Sequence, residues 1–146
     1  KIIMPSHMMV GLRNAILHGT NAFRIKKIRC KFSYMEILQS RIVDGKGLFV
    51  KNSFKKGDVV FVLKGEIFDH PTRESINIGN NEHIYDEYGI FINHSFEPSV
   101  CIQHTNVVAL HDIECGGEIS FNYNDSEINM SDVFYVGDQK VCGKQQ

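Results

Sequence analysis

Side chains able to do chemistry gather in three short stretches of this sequence. In the first, Asn93, His94 and Ser95 follow the apolar run Ile90-Phe91-Ile92 and precede Pro98. An amide, an imidazole and a hydroxyl in a row can orient a polar ligand, but each needs hydrogen-bond partners wherever it is buried. In the second, Gly116-Gly117-Glu118-Ile119-Ser120-Phe121-Asn122-Tyr123, strand alternation puts the Phe121 and Tyr123 rings on one face. The Tyr123 phenol can donate or accept a hydrogen bond there. The third, Gly45-Lys46-Gly47-Leu48-Phe49-Val50, has two glycines that let the main chain come close to a ligand. None of these is a motif of the hydrolase or kinase kind. No third glycine or long helix follows Gly47, so a dinucleotide fingerprint is excluded.

Taken singly, each stretch has a plainer reading. Gly45 to Val50 reads as a tight turn into a strand, Phe121 and Tyr123 as core rings, and His94 as a core histidine with its nitrogens satisfied. Asn93-His94-Ser95 is also formally an N-glycosylation acceptor, although an acceptor belongs on an exposed loop rather than after three apolar residues.

The elements that must position these groups are short strands. "MEILQSRIV" reads as a strand that Asp44-Gly45 turns back as a hairpin. "GLFVKNSF" and "DVVFVLKGEIF" follow, then "SINIG" and "EHIYDEYGIFI", with Ile90-Phe91-Ile92 extended. "SVCIQ" and "VVALHDI" form a hairpin around His104-Thr105-Asn106, and "GGEISFNY" gives a last strand. Residues 1 to 33 are harder to read. Arg24, Lys26, Lys27, Arg29 and Lys31 alternate with apolar residues, as on an edge strand with a solvated basic face or one offered to an acidic partner.

The 146 residues fit one domain, and such a domain buries about two-thirds of the surface of its unfolded chain. Hydrophobic residues make up 42% and charged residues 23%, ordinary for a globular protein. A formal net charge of −1 gives no global attraction to nucleic acid or anionic lipid. No apolar run approaches the roughly 18 residues of a membrane span, so no membrane partner is expected. Cys30, Cys101, Cys115 and Cys142 lack C-x-x-C spacing and read as free thiols in a reducing, intracellular compartment, without a metal.

In their order and spacing the three stretches resemble the SET-domain protein lysine methyltransferases. That family's pattern is a G-x-G, an apolar segment into N-H-S-x-x-P-N, and G-E-E-(apolar)-x-(Phe or Tyr)-x-Tyr. Here the three read "GKGLFV", "FINHSFEP" and "GGEISFNY". The resemblance covers about residues 35 to 127. It implies a mainly β fold of several short-stranded sheets with few short helices, in which the Asn-His segment threads beneath the final motif in a knot-like arrangement. Residues 1–34 are then an N-terminal extension, and 128–146 a tail standing where the family places a segment that closes over the cofactor.

The same resemblance implies S-adenosylmethionine as cofactor, held by Asn93, His94 and the main chain around Lys46, Gly47 and Leu48, with Phe134 or Tyr135 closing over it. Tyr123 falls at the catalytic tyrosine and Phe121 at the position that shapes the lysine channel, leaving room for two or three methyl groups. The partner is a protein or peptide bearing lysine. A lysine with a pKa near 10.4 is neutral only about once in 2,500 at pH 7, a cost of roughly 4.6 kcal/mol. An apolar channel facing a sulfonium lowers that pKa by desolvation and like-charge repulsion.

This sequence also departs from the pattern. Phe96 stands where many members have a zinc-ligating cysteine, Ser99 replaces the usual Asn, and Ile90 a frequent Arg. Ile76 occupies a position that often carries a second tyrosine, for which Tyr85 or Tyr88 could compensate. These departures fit a divergent enzyme, or a catalytically inactive SET-like module that binds a peptide or protein partner. Direct nucleic-acid binding through residues 24 to 31 is a weaker reading.

Overall fold

The computed structural model describes residues 34–128, 130 and 132–144. The basic cluster at Arg24–Lys31 and Cys30 lie outside these residues. The chain is built almost wholly from short strands, as the alternating apolar runs require. β1 (Met35–Gln39) pairs antiparallel with β2 (Lys46–Val50), Gln39 opposite Lys46. The connection therefore spans residues 40–45 and is longer than the tight turn that Asp44-Gly45 signals. Ser40 organises it, its hydroxyl accepting from the N–H groups of Ile42 at 3.0 Å and Val43 at 3.1 Å.

"DVVFVLKGEIF" splits into β3 (Val59–Val62) and β4 (Glu66–Phe68), which belong to different sheets. The break comes at Gly65, whose backbone lies so close to the Tyr85 carbonyl that a Cβ has no room. β4 pairs with β6 (Glu82–Tyr85), and β6 with β5 (Ile76–Gly79). Asn80 and Asn81 turn β5 into β6, both left-handed at φ 53° and 60°, as a type I′ hairpin needs. A 3₁₀ turn, Gly89–Phe91, leads into β7 (Asn93–His94). β8 (Val100–Gln103) and β9 (Asn106–Ala109) form the expected hairpin around His104, and β3 joins them on the far side of β9.

β10 (Glu118–Phe121) lies between β2, antiparallel, and β7, parallel, completing the sheet β1-β2-β10-β7. The chain then enters α1 (Tyr123–Ser126), and β11 (Phe134–Val136) and β12 (Gln139–Val141) close it as a hairpin. Leu48, Val100, Val107, Ile119 and Val141 are fully buried at 0% exposure, one from each of five strands, so a single core joins the small sheets. Among the described residues no helix is long and apolar enough to cross a membrane.

Two expectations need correction. The apolar run Ile90-Phe91-Ile92 is not a strand but mostly the 3₁₀ turn, because the buried Asp86 carboxylate gathers the backbone ahead of it. Asp86 accepts from the N–H groups of Tyr88 at 2.8 Å, Gly89 at 2.7 Å and Lys64 at 2.7 Å. Tyr123 is not the end of a strand but the first residue of α1, since the Asn122 side chain caps that turn by accepting from the Asn124 N–H. Replacing Asp86 by Ala strips three backbone donors of their acceptor, two of them buried. The expected loss is about 3 kcal/mol of stability in urea unfolding. A loss under about 1 kcal/mol would show that apolar packing, not this carboxylate, shapes the bend.

Candidate functional site

Asn93 and His94 are buried at 4% and 3% exposure, so every polar atom they carry has to be placed. β7 gets there by pairing with β10, with Asn93 opposite Ser120 and His94 opposite Phe121. The chain beyond β7 follows the same edge. Ser95 N–H donates to the Phe121 carbonyl at 3.1 Å and Ser99 N–H to the Ser120 carbonyl at 3.0 Å, while the Ser99 hydroxyl accepts from Ser120 N–H at 3.0 Å. The Ser99 departure from the family pattern is thus absorbed as a tie between the two segments. These bonds set the segments side by side; threading of one beneath the other stays an expectation of the resemblance.

The Asn93 amide nitrogen donates to the Lys46 carbonyl at 2.9 Å and lies 3.3 Å from both the Ser40 hydroxyl and Glu118 Oε1. Glu118 accepts in turn from the Ser40 hydroxyl at 2.6 Å and from Arg41 N–H at 2.7 Å, which ties the 40–45 loop to β10. A methyl group at Gly47 would meet the Glu118 carboxylate and push it off its partners Ser40 and Arg41. Lys46, Gly47, Leu48 and Asn93 therefore meet at one place, though the Leu48 side chain points into the core.

Tyr123 joins two halves of the site. Its N–H donates to His94 Nδ1 at 3.1 Å, which makes Nδ1 the acceptor and leaves the imidazole proton on Nε2. Its hydroxyl donates to the Ile92 carbonyl at 3.0 Å. On one side lie the rings of His94, Phe96 and Phe134, with His94–Phe96 centroids 4.5 Å apart, His94–Phe134 5.7 Å and His94–Tyr123 5.1 Å. On the other, Phe121 leans against Tyr123 with centroids 4.6 Å apart. Burial, and secondarily the nearby Glu127 carboxylate, push the Tyr123 phenol well above its usual range, so it stays protonated at neutral pH.

Phe121 and Tyr123 also line an open cleft, with Ile76, Ile90, Ile92 and Glu127. At its rim the Arg73 guanidinium stands 4.0 Å from Asp132. Ile76 presents no hydroxyl to the cleft, and neither Tyr85 nor Tyr88 lines it. Phe134 packs on His94 with ring centroids 5.7 Å apart, whereas Tyr135 is exposed at 57%. Among the described residues no group of three or more His, Cys, Asp or Glu could hold a metal ion.

Three contributors went unnoticed in the sequence. Ser40 and Glu118 gave only a signal shared by many loops and strand starts. Glu127 looked like part of an acidic tail, yet it is buried to 8% exposure. Its N–H donates to the Tyr123 carbonyl at 2.9 Å, and its Oε1 accepts from Asn77 N–H at 3.1 Å. Burial outweighs that one bond and raises its carboxyl to about 7.

A family model described as SET domain matches residues 45–124, more than half of the chain. No curated protein matches the sequence. Among solved structures, a humanized mutant of the Chaetomium thermophilum Polycomb Repressive Complex 2 bound to the inhibitor GSK343 is similar at 22% identity and a TM-score of 0.54, over 65% of this chain and 16% of that one. ctPRC2 in an autoinhibited conformation, bound to S-adenosylmethionine, is similar at 21% identity and a TM-score of 0.53, over 62% of this chain and 15% of that one. A Plasmodium falciparum protein described as a histone methyltransferase is similar at 21% identity and a TM-score of 0.51, over 63% of this chain and 98% of its own. These likenesses are of fold, and the chain spans under a fifth of the two Polycomb chains.

The raised Glu127 carboxyl has a consequence for stability. Between its usual pKa of 4.5 and about 7 the folded chain holds a proton that the unfolded chain releases, so stability falls as pH rises through that window and levels off above it. The whole decline is at most about 3 kcal/mol. Glu127→Gln keeps an oxygen for the Asn77 N–H and cannot ionise. Melting temperatures from pH 4.5 to 8 should fall for the wild type relative to the variant; parallel curves would mean that Glu127 titrates as an ordinary carboxylate.

Proposed function

This chain belongs to the SET-domain family, and we propose that it transfers a methyl group from S-adenosylmethionine to the side-chain amine of a protein lysine. The observation that carries this reading is the position of Tyr123, in ring contact with His94 and Phe134 and lining the cleft together with Phe121. Methyl transfer from a sulfonium to an amine is an in-line displacement, which needs donor and acceptor brought to one point from opposite sides.

In this reading Asn93, His94 and the main chain of Lys46, Gly47 and Leu48 hold the donor, with Phe134 covering it. The polar groups fit a cationic donor. The Asn93 amide nitrogen is committed to the Lys46 carbonyl, which leaves its carbonyl oxygen for an ammonium, and the Glu118 carboxylate adds negative charge beside it. S-adenosylmethionine supplies the activated methyl group. Phe121 shapes the end of a channel for lysine, and without a hydroxyl there it leaves room for two or three methyl groups. The Tyr123 hydroxyl, held protonated, offers its oxygen to the polarised methyl hydrogens at about 0.5–1 kcal/mol per contact.

A non-catalytic module that binds a partner peptide is the second reading. The apolar Ile76, buried at 5% exposure where the family often has tyrosine, favours it.

Two measurements separate the readings. Calorimetric titration with S-adenosylmethionine should give micromolar binding to the wild type and none to Asn93→Ala. Labelled methyl incorporation into a lysine-peptide library should fall at least about 100-fold in Tyr123→Phe, with donor affinity kept. Unchanged transfer in that variant sinks the assignment of Tyr123, and donor-independent peptide binding without incorporation establishes the module.

A further inference from the structure

Removing the lysine proton is the step for which the family resemblance names no residue in this chain. The cleft walls are mostly apolar around Tyr123, with Ile76, Ile90, Ile92 and Phe121. Arg73, Glu74 and Asp132 line the same cleft, and Arg73 and Asp132 stand together. Within the cleft, Glu127 is the carboxyl joined to the Tyr123 turn, through the bond from its own N–H to the Tyr123 carbonyl.

We propose that Glu127 faces the substrate ammonium in the cleft and accepts its proton before methyl transfer. This rests on the methyltransferase reading above and adds the base to it. One N–H bond of the ammonium breaks and one O–H bond forms on Glu127. The freed lone pair on nitrogen then takes the methyl group as its bond to the sulfonium sulfur breaks, leaving a neutral thioether and a methylated ammonium. The proton departs from Glu127 to water through the open mouth of the cleft.

The surroundings suit that task. Asn77 N–H is the single backbone donor on the carboxylate, from β5. The groups around it are few in charge. From its own turn comes Tyr123, a neutral phenol. β5, from Ile76 to Gly79, brings no titratable side chain. The 71–75 segment brings Arg73 and Glu74, the 130–132 segment Asp132, and the chain end Lys144, whose N–H donates to the Glu127 carbonyl. None of them outweighs burial, which holds the carboxyl near 7 and makes it a stronger base than an ordinary carboxylate. An incoming ammonium would find a carboxylate there to pair with, on a side chain that is mostly buried.

The plainer role for Glu127 is a clamp between α1 and β5, and Glu127→Gln separates the two because it keeps the Asn77 bond. Three readouts are needed on the full chain. Calorimetry should give the same affinity for S-adenosylmethionine in both proteins. Rates on the lysine-peptide library should fall 10- to 100-fold at pH 7 in the variant and recover by about pH 9.5, with the inflection near 7 lost from the kcat/KM profile. Carbon-13 NMR of the wild-type Glu127 carboxyl should show its titration midpoint moving down by at least one unit with n-butylammonium chloride, and staying in place with n-butanol. Superimposable pH profiles overturn the proposal and leave the transferase reading standing. A wild type that binds the donor but methylates nothing overturns both. Should the variant fail to fold, the NMR titration decides alone, and a midpoint indifferent to n-butylammonium rejects the role.

Discussion

The parallel pairing of β7 with β10 is the constraint on which the rest of the structure hangs. Parallel neighbours need a long connection between them, and here that connection contains the β8–β9 hairpin. Residues distant in sequence are thereby locked in register, so that His94 faces Phe121 and its ring nitrogen takes the Tyr123 N–H. A slip of one residue would turn Asn93 into the position of His94 and leave buried amide and imidazole groups without their partners. The site is precise because the pairing that builds it cannot be moved without cost.

Three carboxylates show how differently the chain treats the same chemical group. Asp86 receives three backbone N–H donors and bends the chain into the 3₁₀ turn. Glu118 receives a hydroxyl, a backbone N–H and an amide, and fixes the loop beside Lys46. Glu127 receives Asn77 N–H, at the same degree of burial as the core around it. A buried carboxylate rich in donors is structural, since ionisation is what its donors reward. One short of donors holds its proton and is free to exchange it, which is the property a reaction can use.

The sequence was legible where local pattern and tertiary structure agree. The β8–β9 hairpin, β2 and β5 follow from apolar alternation bounded by turn residues, and the N-H-S and G-G-E-I-S-F-N-Y stretches lie side by side as the family pattern requires. It was not legible where a distant side chain redirects the backbone. Ile90-Phe91-Ile92 looks like a strand because nothing local shows the Asp86 carboxylate collecting N–H groups ahead of it. Asn122 ends β10 one residue before Tyr123, and a cap of that kind is easily hidden in an alternating run. Tyr85 and Tyr88 were open as stand-ins for the tyrosine that Ile76 replaces, but neither lines the cleft. Glu127 could not be told from its acidic neighbours until β5 was seen to cover it.

The proposed methyl transfer asks different things of the groups around Tyr123. Toward Phe134 the ring contacts are edge-on, at 80° to Tyr123 and 89° to His94. Toward Phe121, tilted at 42° against Tyr123, and Ile76 the surroundings are aromatic and aliphatic, which would penalise a charged amine and favour its neutral form. Tyr123 is held by two bonds, one from its backbone N–H and one from its O–H, both to the segment that carries Asn93. Any motion of that segment moves the hydroxyl with it, so the residues that would grip the donor also set where the hydroxyl stands. Donor binding and hydroxyl positioning would in that sense be one mechanical unit, and with the apolar Ile76 in the cleft the proposed reaction would leave deprotonation of the amine to an ionisable group lining it.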